Sequence, residues 1–570
     1  MKRRFGLPIL PGIILLSLSL LLSSCGGGGG GGGAQSSAST QNGIVSLAIT
    51  DAPGLDFDHV WITVKEVWFH TSDAAGPDES GWLKYPLASP MTVDLVALTN
   101  GNLTNISSGF TLPAGNYQQI RLFLASTDDA LVVNPNPPSG QVPLKHNNEV
   151  DLQVNGNSYQ APLRILSPAQ GIALPGSFQV PNGGTLRLVI DFDVGNDVVK
   201  TIGGLNPEFI LKPRLKYFNL GSAGAIAGAI DPGVIRSASV PNGGFNFVIH
   251  AEESDGDYYV VRRSTTIKSD GTFVLYPLAA DPDGKTYDIV LRGRNVDTVI
   301  IKSVPVYQGT TPHNNPTNIG PAFVEEQFSN EILMNYNNTE FSANLSGPVR
   351  PTGSWVNFYQ TLPGETIPYE IRYRHLNPYT GQFADAIELS TGRIYVGTYG
   401  PDPGIFLEAK TPLEGLGGYK VTFEALHFAR TSGSNLTGTA GQQNVPISPA
   451  ILPVKQGLSA NTLAGTLRVP FQRLDLDTGY ILACRNGVIV DAINAGASGT
   501  KTMSNGGPYS FTLPGGSASS VLRGAFYTVH AIGWRDGAMA TTLSAGFPRI
   551  GNLRRGDDTD VDIYMFKLWP

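Results

Sequence analysis

The chain has 570 residues, in which 39 Lys and Arg oppose 46 Asp and Glu, so its net charge is −7 at pH 7. Only 15% of the residues are charged, and the acidic balance argues against a basic surface that binds nucleic acid. Hydrophobic residues make up 41% of the sequence, which is ample for packed cores, while 68 glycines and 41 prolines favour turn-rich β structure over helices.

The N-terminal segment has the features of an export signal. Lys2, Arg3 and Arg4 precede an apolar run from about Ile13 to Leu22. This run is followed at once by serines and glycines, and it is too short to span a bilayer comfortably. Residues 1–24 are therefore predicted to be a cleaved signal peptide, although the two arginines also allow a twin-arginine export route.

The end of the signal, Leu22-Ser23-Ser24-Cys25, resembles the bacterial lipobox, in which the cysteine becomes the first residue after cleavage. The resemblance implies that Cys25 carries a thioether-linked diacylglycerol and an amide-linked acyl chain such as palmitate. Several acyl chains, at about 0.8 kcal/mol per buried methylene, make a stable membrane anchor. Gly26 in place of Asp then favours the outer membrane if the cell is Gram-negative. The alternative is an ordinary secretory signal with an incidental cysteine.

The residues after Cys25 are predicted to form a flexible tether. Eight consecutive glycines are followed by Ala, Gln, Ser and Thr, without apolar periodicity. A coil of this composition in residues 25–42 has an end-to-end distance of roughly 20–25 Å, enough to hold a folded body clear of lipid headgroups.

Alternation of apolar and polar residues dominates the rest of the chain and predicts strands. The clearest examples are the segments Gly43–Thr50, His59–His70, Tyr117–Ala125 and Thr185–Val194. Within the second segment, the alternation places Val60, Ile62 and Val64 inward and Trp61, Thr63 and Lys65 outward.

A series of strand and turn motifs runs through residues 43–220. In chain order the motifs are VSLAITDAPGLDFDHVWITVKEVWFH, GWLKYP, VDLVALTNG, LPAGNYQQIRLFL, LVIDFDVGNDVV and FILKPRLK. This series resembles a bacterial lipoprotein domain, the domain of unknown function DUF4382. The resemblance implies a secreted or surface-anchored β-rich domain with no assigned chemistry.

The remaining sequence repeats a plan of a glycine-containing strand, a turn-strand motif and a later YxVxxxG-like strand. GAIAGAI, SDGTFVLYPL and KTYDIVLRGRN follow this plan, as do TLAGTLRV, NGGPYSFTLPGG and AFYTVHAIGW. The plan resembles the transthyretin-like modules of carboxypeptidase regulatory domains, which implies small, noncatalytic β-sandwiches. Composition shifts predict modules at residues 221–320, 321–455 and 456–570, of which the middle one is divergent. The predicted fold class is all-β, with a sandwich-like N-terminal domain followed by tandem immunoglobulin- or transthyretin-like sandwiches.

Motifs of catalysis are missing from the sequence. There is no G-x-S-x-G elbow, and none of the eight histidines is followed by Glu, so H-E-x-x-H is absent. Cys484 lies in the strand pattern YILACRNG, which favours a buried, inert thiol over a nucleophile. If Cys25 is lipidated, no disulfide can form in the mature body.

Clusters of carboxylates are the weak candidates for calcium binding, since Ca²⁺ takes six to eight oxygen ligands. The candidates are Asp51, Asp56 and Asp58 in the first turn, and Asp557, Asp558 and Asp560 near the C-terminus. None of them matches the D-x-D-x-D-G loop. For Asp51 the favoured alternative is a side chain that caps the turn before Pro53. No cofactor is predicted, and calcium is kept as an open alternative.

Trp61 and Trp82 are weak candidates for a platform on which a glycan stacks. The favoured alternative is that both indoles are buried at the edge of the sandwich.

These patterns predict a noncatalytic, lipid-anchored envelope protein with a binding, adhesion or scaffolding role. Its predicted partners are the membrane, through the anchor, and an unknown envelope protein or glycan, with no nucleic acid. Two alternatives stay open. One is an envelope enzyme that acts on glycans through a carboxylate pair about 5–9.5 Å apart. The other is a passive stalk or assembly module.

Overall fold

The computed structural model describes residues 41–564 with interior gaps. The gaps are residues 55–56, 74, 128, 133–142, 155, 167, 202–207, 231–245, 295, 320–350, 382–388, 401–404, 434, 437–453, 455–456, 469–473, 476–477, 495–501, 504–506, 517–524, 536–537 and 542–548. The predicted signal peptide, Cys25, the tether and Asp56 lie outside the described residues. No helix in the described ranges is long and apolar enough to cross a membrane.

The fold is nearly all β, as the alternation predicts. The described part of the N-terminal domain contains one short α-helix, α1 (Val194–Asp197), a 3-10 helix (Val96–Leu98) and twelve strands. These are β1 (Asn42–Ala52), β2 (His59–His70), β3 (Leu83–Asp94), β4 (Thr104–Pro113), β5 (Gly115–Leu124), β6 (Glu149–Val154), β7 (Asn157–Arg164), β8 (Ile172–Val180), β9 (Thr185–Asp193), β10 (Val198–Thr201), β11 (Glu208–Leu211) and β12 (Lys216–Asn219).

Two sheets form the N-terminal domain and enclose one core. The smaller sheet has the order β12-β9-β1-β4, in which β1 runs parallel to β9 and antiparallel to β4. The larger has the order β10-β11-β7-β6-β2-β5-β8, with β3 also paired to β2. Alternate residues of β1 and β2, such as Val45, Leu47, Val60 and Ile62, are completely buried between the sheets.

The outward face predicted for β2 is largely covered as well. Trp61 is 4% exposed and Thr63 is completely buried, whereas Lys65 is half-buried. Trp61 donates from Nε1 to Asp151 Oδ2 at 3.0 Å, and the Thr63 hydroxyl donates to the Asn147 carbonyl at 2.5 Å. Trp61 and Thr63 do not belong to the core between the sheets, as predicted, but neither is exposed. Asp151 of the neighbouring strand β6 and the main chain at Asn147 accept hydrogen bonds from them.

The second module follows directly from the N-terminal domain. Its strands are β13 (Ala223–Ala229), β14 (Asn246–Ser254), β15 (Tyr259–Thr266), β16 (Thr272–Ala279), β17 (Lys285–Arg294), β18 (Val296–Val306) and β19 (Thr317–Asn318). One sheet has the order β16-β13-β19, and strands β15-β14-β17-β18 belong to the other. Ile226, Ile249, Phe273 and Val299 are buried in the core between them.

The third module contributes strands to two different sheets. Its strands are β20 (Trp355–Gln360), β21 (Tyr369–His375), β22 (Ile394–Thr398), β23 (Glu408–Lys410), β24 (Lys420–Glu424) and β25 (Thr431–Ser432). Four of them form the sheet β21-β20-β24-β25. In contrast, β22 pairs in parallel with β18 and carries β23, so that both extend the larger sheet of the second module.

The C-terminal module contains the last ten described strands. They are β26 (Ser459–Arg468), β27 (Leu474–Asp475), β28 (Thr478–Arg485), β29 (Val488–Asn494), β30 (Thr502–Met503), β31 (Gly507–Gly515), β32 (Phe526–Arg535), β33 (Ala538–Thr541), β34 (Arg549–Asn552) and β35 (Ile563–Tyr564). The sheet β31-β26-β35 faces the sheet β29-β28-β32-β33, to which β34 is also paired.

Buried ionic contacts join the N-terminal domain to the modules that follow it. The Arg263 guanidinium, 2% exposed, donates to Asp191 and to the Thr50 hydroxyl (2.8 Å). Lys212 Nζ donates to the Ser354 carbonyl at 3.1 Å, and the Tyr373 hydroxyl donates to Asp193. Buried charges are tolerated only where such partners satisfy them, so these contacts fix how the sandwiches pack.

Candidate functional site

A cleft lies between the N-terminal domain and the C-terminal module, with a volume of about 240 Å³. Its first wall is formed by residues 73 and 75–79, together with side chains of β5 and the segment 170–175. Its second wall is formed by the end of β28, the start of β32 and Ile550 of β34, and His427 of the third module completes the lining. Segments far apart in sequence therefore build one site.

A tight hairpin brings the second wall against the first. Arg485 pairs with Val488, which leaves a loop of two residues, Asn486 (φ 55°) and Gly487 (φ 80°). Positive φ at both positions defines a type I′ turn, the geometry that the Asn-Gly dipeptide favours between strands. A Cβ atom on Gly487 would lie 3.3 Å from the Gly171 carbonyl oxygen, so the hairpin tip contacts the N-terminal domain closely.

Arg121 on β5 is the main polar residue of the first wall. Its side chain is buried (4% exposed), and its Nη1 and Nη2 donate to the carbonyls of Gln170 (2.7 Å) and Ala75 (3.2 Å). With its amide nitrogen turned toward the Ala75 carbonyl, Gln119 donates there at 3.1 Å and accepts from Arg121 Nη2 at 3.1 Å. Burial lowers the pKa of Arg121 to about 10, partly offset by the charge of Asp78, so the guanidinium is a cation at neutral pH.

Residues 75–79 of the first wall are supported by aromatic side chains. Trp82 donates from Nε1 to the Gly76 carbonyl at 2.8 Å, and the Arg121 guanidinium carbon lies 5.2 Å from the centre of an indole ring of Trp82. Trp82 in turn packs against Trp68 and His70. The wall is thus fixed by hydrogen bonds and stacking within the protein itself.

Arg485 is the corresponding cation of the second wall. It is 8% exposed, its Nη1 lies 3.4 Å from the Tyr527 hydroxyl, and its guanidinium stacks on the Tyr527 ring at 5.4 Å. Tyr527 is fixed because its own hydroxyl donates to the Pro514 carbonyl at 2.6 Å. The sequence places Arg485 here because β28 ends at the Asn-Gly turn.

Carboxylates and apolar side chains complete the surroundings of the two arginines. Asp73, Asp78 and Glu79 are exposed on the first wall, and Glu79 forms a long ion pair of 3.7 Å with Arg554. Apolar surface comes from Pro77, Pro175, Phe526 and Ile550. The cleft therefore combines two buried cations, an acidic mouth and an apolar wall.

The residues predicted as metal ligands are placed in separate surroundings. Asp51 is completely buried, and its Oδ1 accepts from the backbone N–H of Val194 at 3.0 Å, so it caps α1 and not the turn before Pro53. Burial raises the pKa of Asp51 well above its usual range. Asp58 is exposed, and its backbone N–H donates to the Asp151 carbonyl.

The C-terminal carboxylates lie along the edge of β26. Asp557 accepts from the Thr462 backbone N–H at 2.7 Å, and Asp558 accepts from the Asn552 backbone N–H at 2.8 Å. Asp560 is exposed. Across the part of the chain that the structure describes, no group of three or more His, Cys, Asp and Glu residues is arranged to hold a metal ion.

The two tryptophans predicted as a glycan platform are buried. Trp61 is 4% exposed and Trp82 is 9% exposed, which is the alternative that the sequence favours for both. Trp82 nevertheless supports the cleft, because it holds the carbonyl of Gly76. Cys484 is buried on β28, as its strand pattern predicts, and borders the cleft.

A second group of titratable side chains lies at the end of β6. Glu149 is buried and accepts from the backbone N–H groups of Lys145 (2.9 Å) and His146 (3.1 Å). Burial, together with the nearby charge of Asp151, raises the pKa of Glu149 to about 7. His59 bonds to Asp94 at 2.7 Å beside this group. Glu149 and Asp151 occur two residues apart on β6, and both form their hydrogen bonds within the domain.

Taken together, the strands and sheets define a protein of several packed β-sheets with a cleft between its N-terminal and C-terminal parts. Residues 42–213 match the family model of the domain of unknown function DUF4382, which confirms the resemblance of the N-terminal domain. A search of the curated proteins found no match. Among solved structures, the Bacillus anthracis TIE protein aligns over 92% of this chain and 75% of its own, with 10% identity and a TM-score of 0.12. That likeness is too low to support an argument.

Proposed function

We propose that the chain is a noncatalytic, lipid-anchored cell-envelope protein that binds a small molecule in the cleft. Cys25 would supply the anchor, residues 25–42 the tether, and the outer membrane is the favoured location if the cell is Gram-negative. The observation that carries the binding role is the cleft, whose polar side chains are held in place by the protein before any ligand enters. Preorganisation of this kind reduces the entropic cost of binding.

The packing between domains supports the proposal. Both walls must keep their separation for a shared cleft to have a defined shape. A buried core cluster contains Ile210 of β11 together with Leu482 and Ile489, and it joins the N-terminal domain to the C-terminal module. The Gly353 N–H donates to the Val490 carbonyl at 2.8 Å, so the third module packs against the same hairpin. Such contacts favour a rigid binding site over one formed by a hinge.

The proposal is tested by filling the cleft. Gly76 lines the cleft, its φ is not positive, and a Cβ atom there would meet no atom closer than 4.0 Å. Gly76→Phe should therefore fold normally and occupy the space with its ring. Gly400→Phe is the matched control, because Gly400 is equally open and lies outside the lining.

The measurement is ligand-observed NMR with a library of small charged and neutral fragments on the full-length protein. We expect some fragments to bind saturably to wild type and to Gly400→Phe. The same fragments should not bind to Gly76→Phe. Binding that is equal in all three proteins, or no saturable binding to wild type, would contradict the proposed role of the cleft.

A further inference from the structure

We propose that the cleft selects a small carboxylate, whose anionic group is held between Arg121 and Arg485 while its apolar part contacts Phe526 and Pro77. This inference rests on the proposed function, since it names the chemical class of ligand for the same cleft. Four observations carry it.

The first observation is that the two guanidiniums are buried without a carboxylate. Among the described residues, neither Arg121 nor Arg485 lies within 4.0 Å of a carboxylate oxygen. The partners of Arg121 are neutral carbonyls and an amide, and that of Arg485 is a neutral hydroxyl. Arginines are almost never fully buried unless paired, so two such cations at one cleft favour an external anion.

The second observation concerns unused hydrogen-bond donors. A guanidinium has five N–H donors. Arg485 uses one of them, at the long distance of 3.4 Å, and no partner within the described ranges accepts from its Nη2. The Nε atoms of Arg121 and Arg485 are both buried without a hydrogen-bond partner among the described residues. A carboxylate accepting from the terminal nitrogens would supply the hydrogen-bonded anion that neither guanidinium has among the described residues.

The third observation is the size and apolar character of the space. The volume of about 240 Å³ is many times the roughly 10–15 Å³ of cavity that a single water needs. This suits a ligand the size of a benzoate. The Phe526 ring and the ring of Pro77 supply apolar surface for its body. A bare inorganic ion would leave that surface wet.

The fourth observation is the charge of the mouth. Asp73, Asp78 and Glu79 are exposed at one wall, and only Glu79 is within ion-pair distance of a described cation, Arg554. Their charges repel an approaching anion, and the repulsion grows with each negative charge that the ligand carries. The balance therefore favours a monoanion over a phosphate dianion.

The test compares three probes that share one trifluoromethylphenyl group, on the full-length protein, by fluorine NMR. The probes are para-trifluoromethylbenzoate, its neutral amide and the corresponding aryl phosphate. The variants are Arg485→Met and Arg187→Met. Arg485→Met replaces the guanidinium by an apolar side chain of similar length, and Arg187→Met removes an exposed arginine on β9. Thermal melting verifies that each variant is folded.

We expect the benzoate to bind wild type at least about tenfold more tightly than the amide or the phosphate, because only the benzoate gains charge-assisted hydrogen bonds without excess repulsion. Arg485→Met should weaken the benzoate at least about tenfold and leave the amide unchanged. Arg187→Met should change neither probe.

Failure of this inference is distinguishable from failure of the proposed function. If the neutral amide binds as tightly as the benzoate and Gly76→Phe abolishes both, the cleft is a binding site but its selection for a carboxylate is refuted. Tighter binding of the phosphate, or benzoate binding that survives Arg485→Met, also overturns the inference. If no probe and no fragment binds saturably, both the inference and the proposed function fall.

Discussion

Lys212 offers a test of how the N-terminal domain is joined to the third module. Its side chain is 1% exposed, and its Nζ donates to the Ser354 carbonyl at 3.1 Å. Burial lowers the pKa of Lys212 from 10.5 to about 7, opposed by the charge of Asp197. We predict that Lys212→Met removes a pH-dependent part of the stability.

The magnitude follows from the pKa difference between the folded and unfolded chain. A change from 10.5 to about 7 corresponds to about 5 kcal/mol between the charged and neutral amine. Because the folded pKa is depressed, the stability contributed by Lys212 is fully present above pH 10.5 and is lost as the pH falls to about 7. Between pH 9 and pH 6 the loss is roughly 2.5 kcal/mol, which Lys212→Met should lack.

The assay is urea unfolding of wild type and Lys212→Met at pH 6 and pH 9. Wild type should gain roughly 2.5 kcal/mol more than the variant over this interval. Burial raises the pKa of Glu370 to about 7, which contributes in the opposite direction, but Glu370 is present in both proteins and cancels. Lys145→Met, at an exposed lysine, should keep the wild-type pH dependence. If the stability of wild type and of Lys212→Met changes equally with pH, the lowered pKa of the buried Lys212 amine is refuted.

Three further predictions address the anchor, the β6 carboxylates and the hairpin. Cys25→Ala should move the protein from the membrane fraction to the soluble fraction, and continued detergent-dependent partitioning would rule out the lipid anchor. Because the folded pKa of Glu149 is raised from 4.5 to about 7, its contribution to stability is present below pH 4.5 and lost as the pH rises to about 7. Asp151→Asn should reduce this loss of stability between pH 5 and pH 8 by on the order of 1 kcal/mol, as measured by thermal melting. If the variant and wild type lose the same stability over this interval, the charge of Asp151 does not act on Glu149. Gly487→Ala should lower the free energy of unfolding by more than Gly156→Ala, because both glycines have positive φ but a Cβ atom lies near Gly171 only at position 487. The backbone term alone is about 1–2 kcal/mol, and equal urea midpoints for the two variants would show that the hairpin tip does not press on the N-terminal domain.

The strands could be predicted from alternation, because burial on one face imposes a period of two on the sequence. The segment His59–His70 was predicted with the bounds that β2 has in the structure. The burial of Thr63 could not be predicted, since its hydroxyl donates to the carbonyl of Asn147, far along the chain. Likewise, the parallel pairing of Ile394–Thr398 with β18 depends on a contact that local patterns do not encode.

The cleft could not be predicted from the sequence either, because it depends on a contact between segments that are far apart in the chain. Arg121 and Arg485 occur in ordinary strand patterns, and neither belongs to a motif. They line one cleft only because the Asn-Gly hairpin docks beside Gly171. The signal that was available is this dipeptide, which predicts a tight hairpin at the end of β28 and hence an arginine next to a sharp turn. The modules predicted to resemble transthyretin-like domains, and their boundaries, stay predictions.

A crystal structure of the full-length protein soaked with para-trifluoromethylbenzoate would test the central claim most directly. The proposed function and the inferred ligand class predict electron density for the probe in the cleft, with its carboxylate within hydrogen-bond distance of Arg121 and Arg485. Density for the probe at another surface, with only water between the two guanidiniums, would contradict the account.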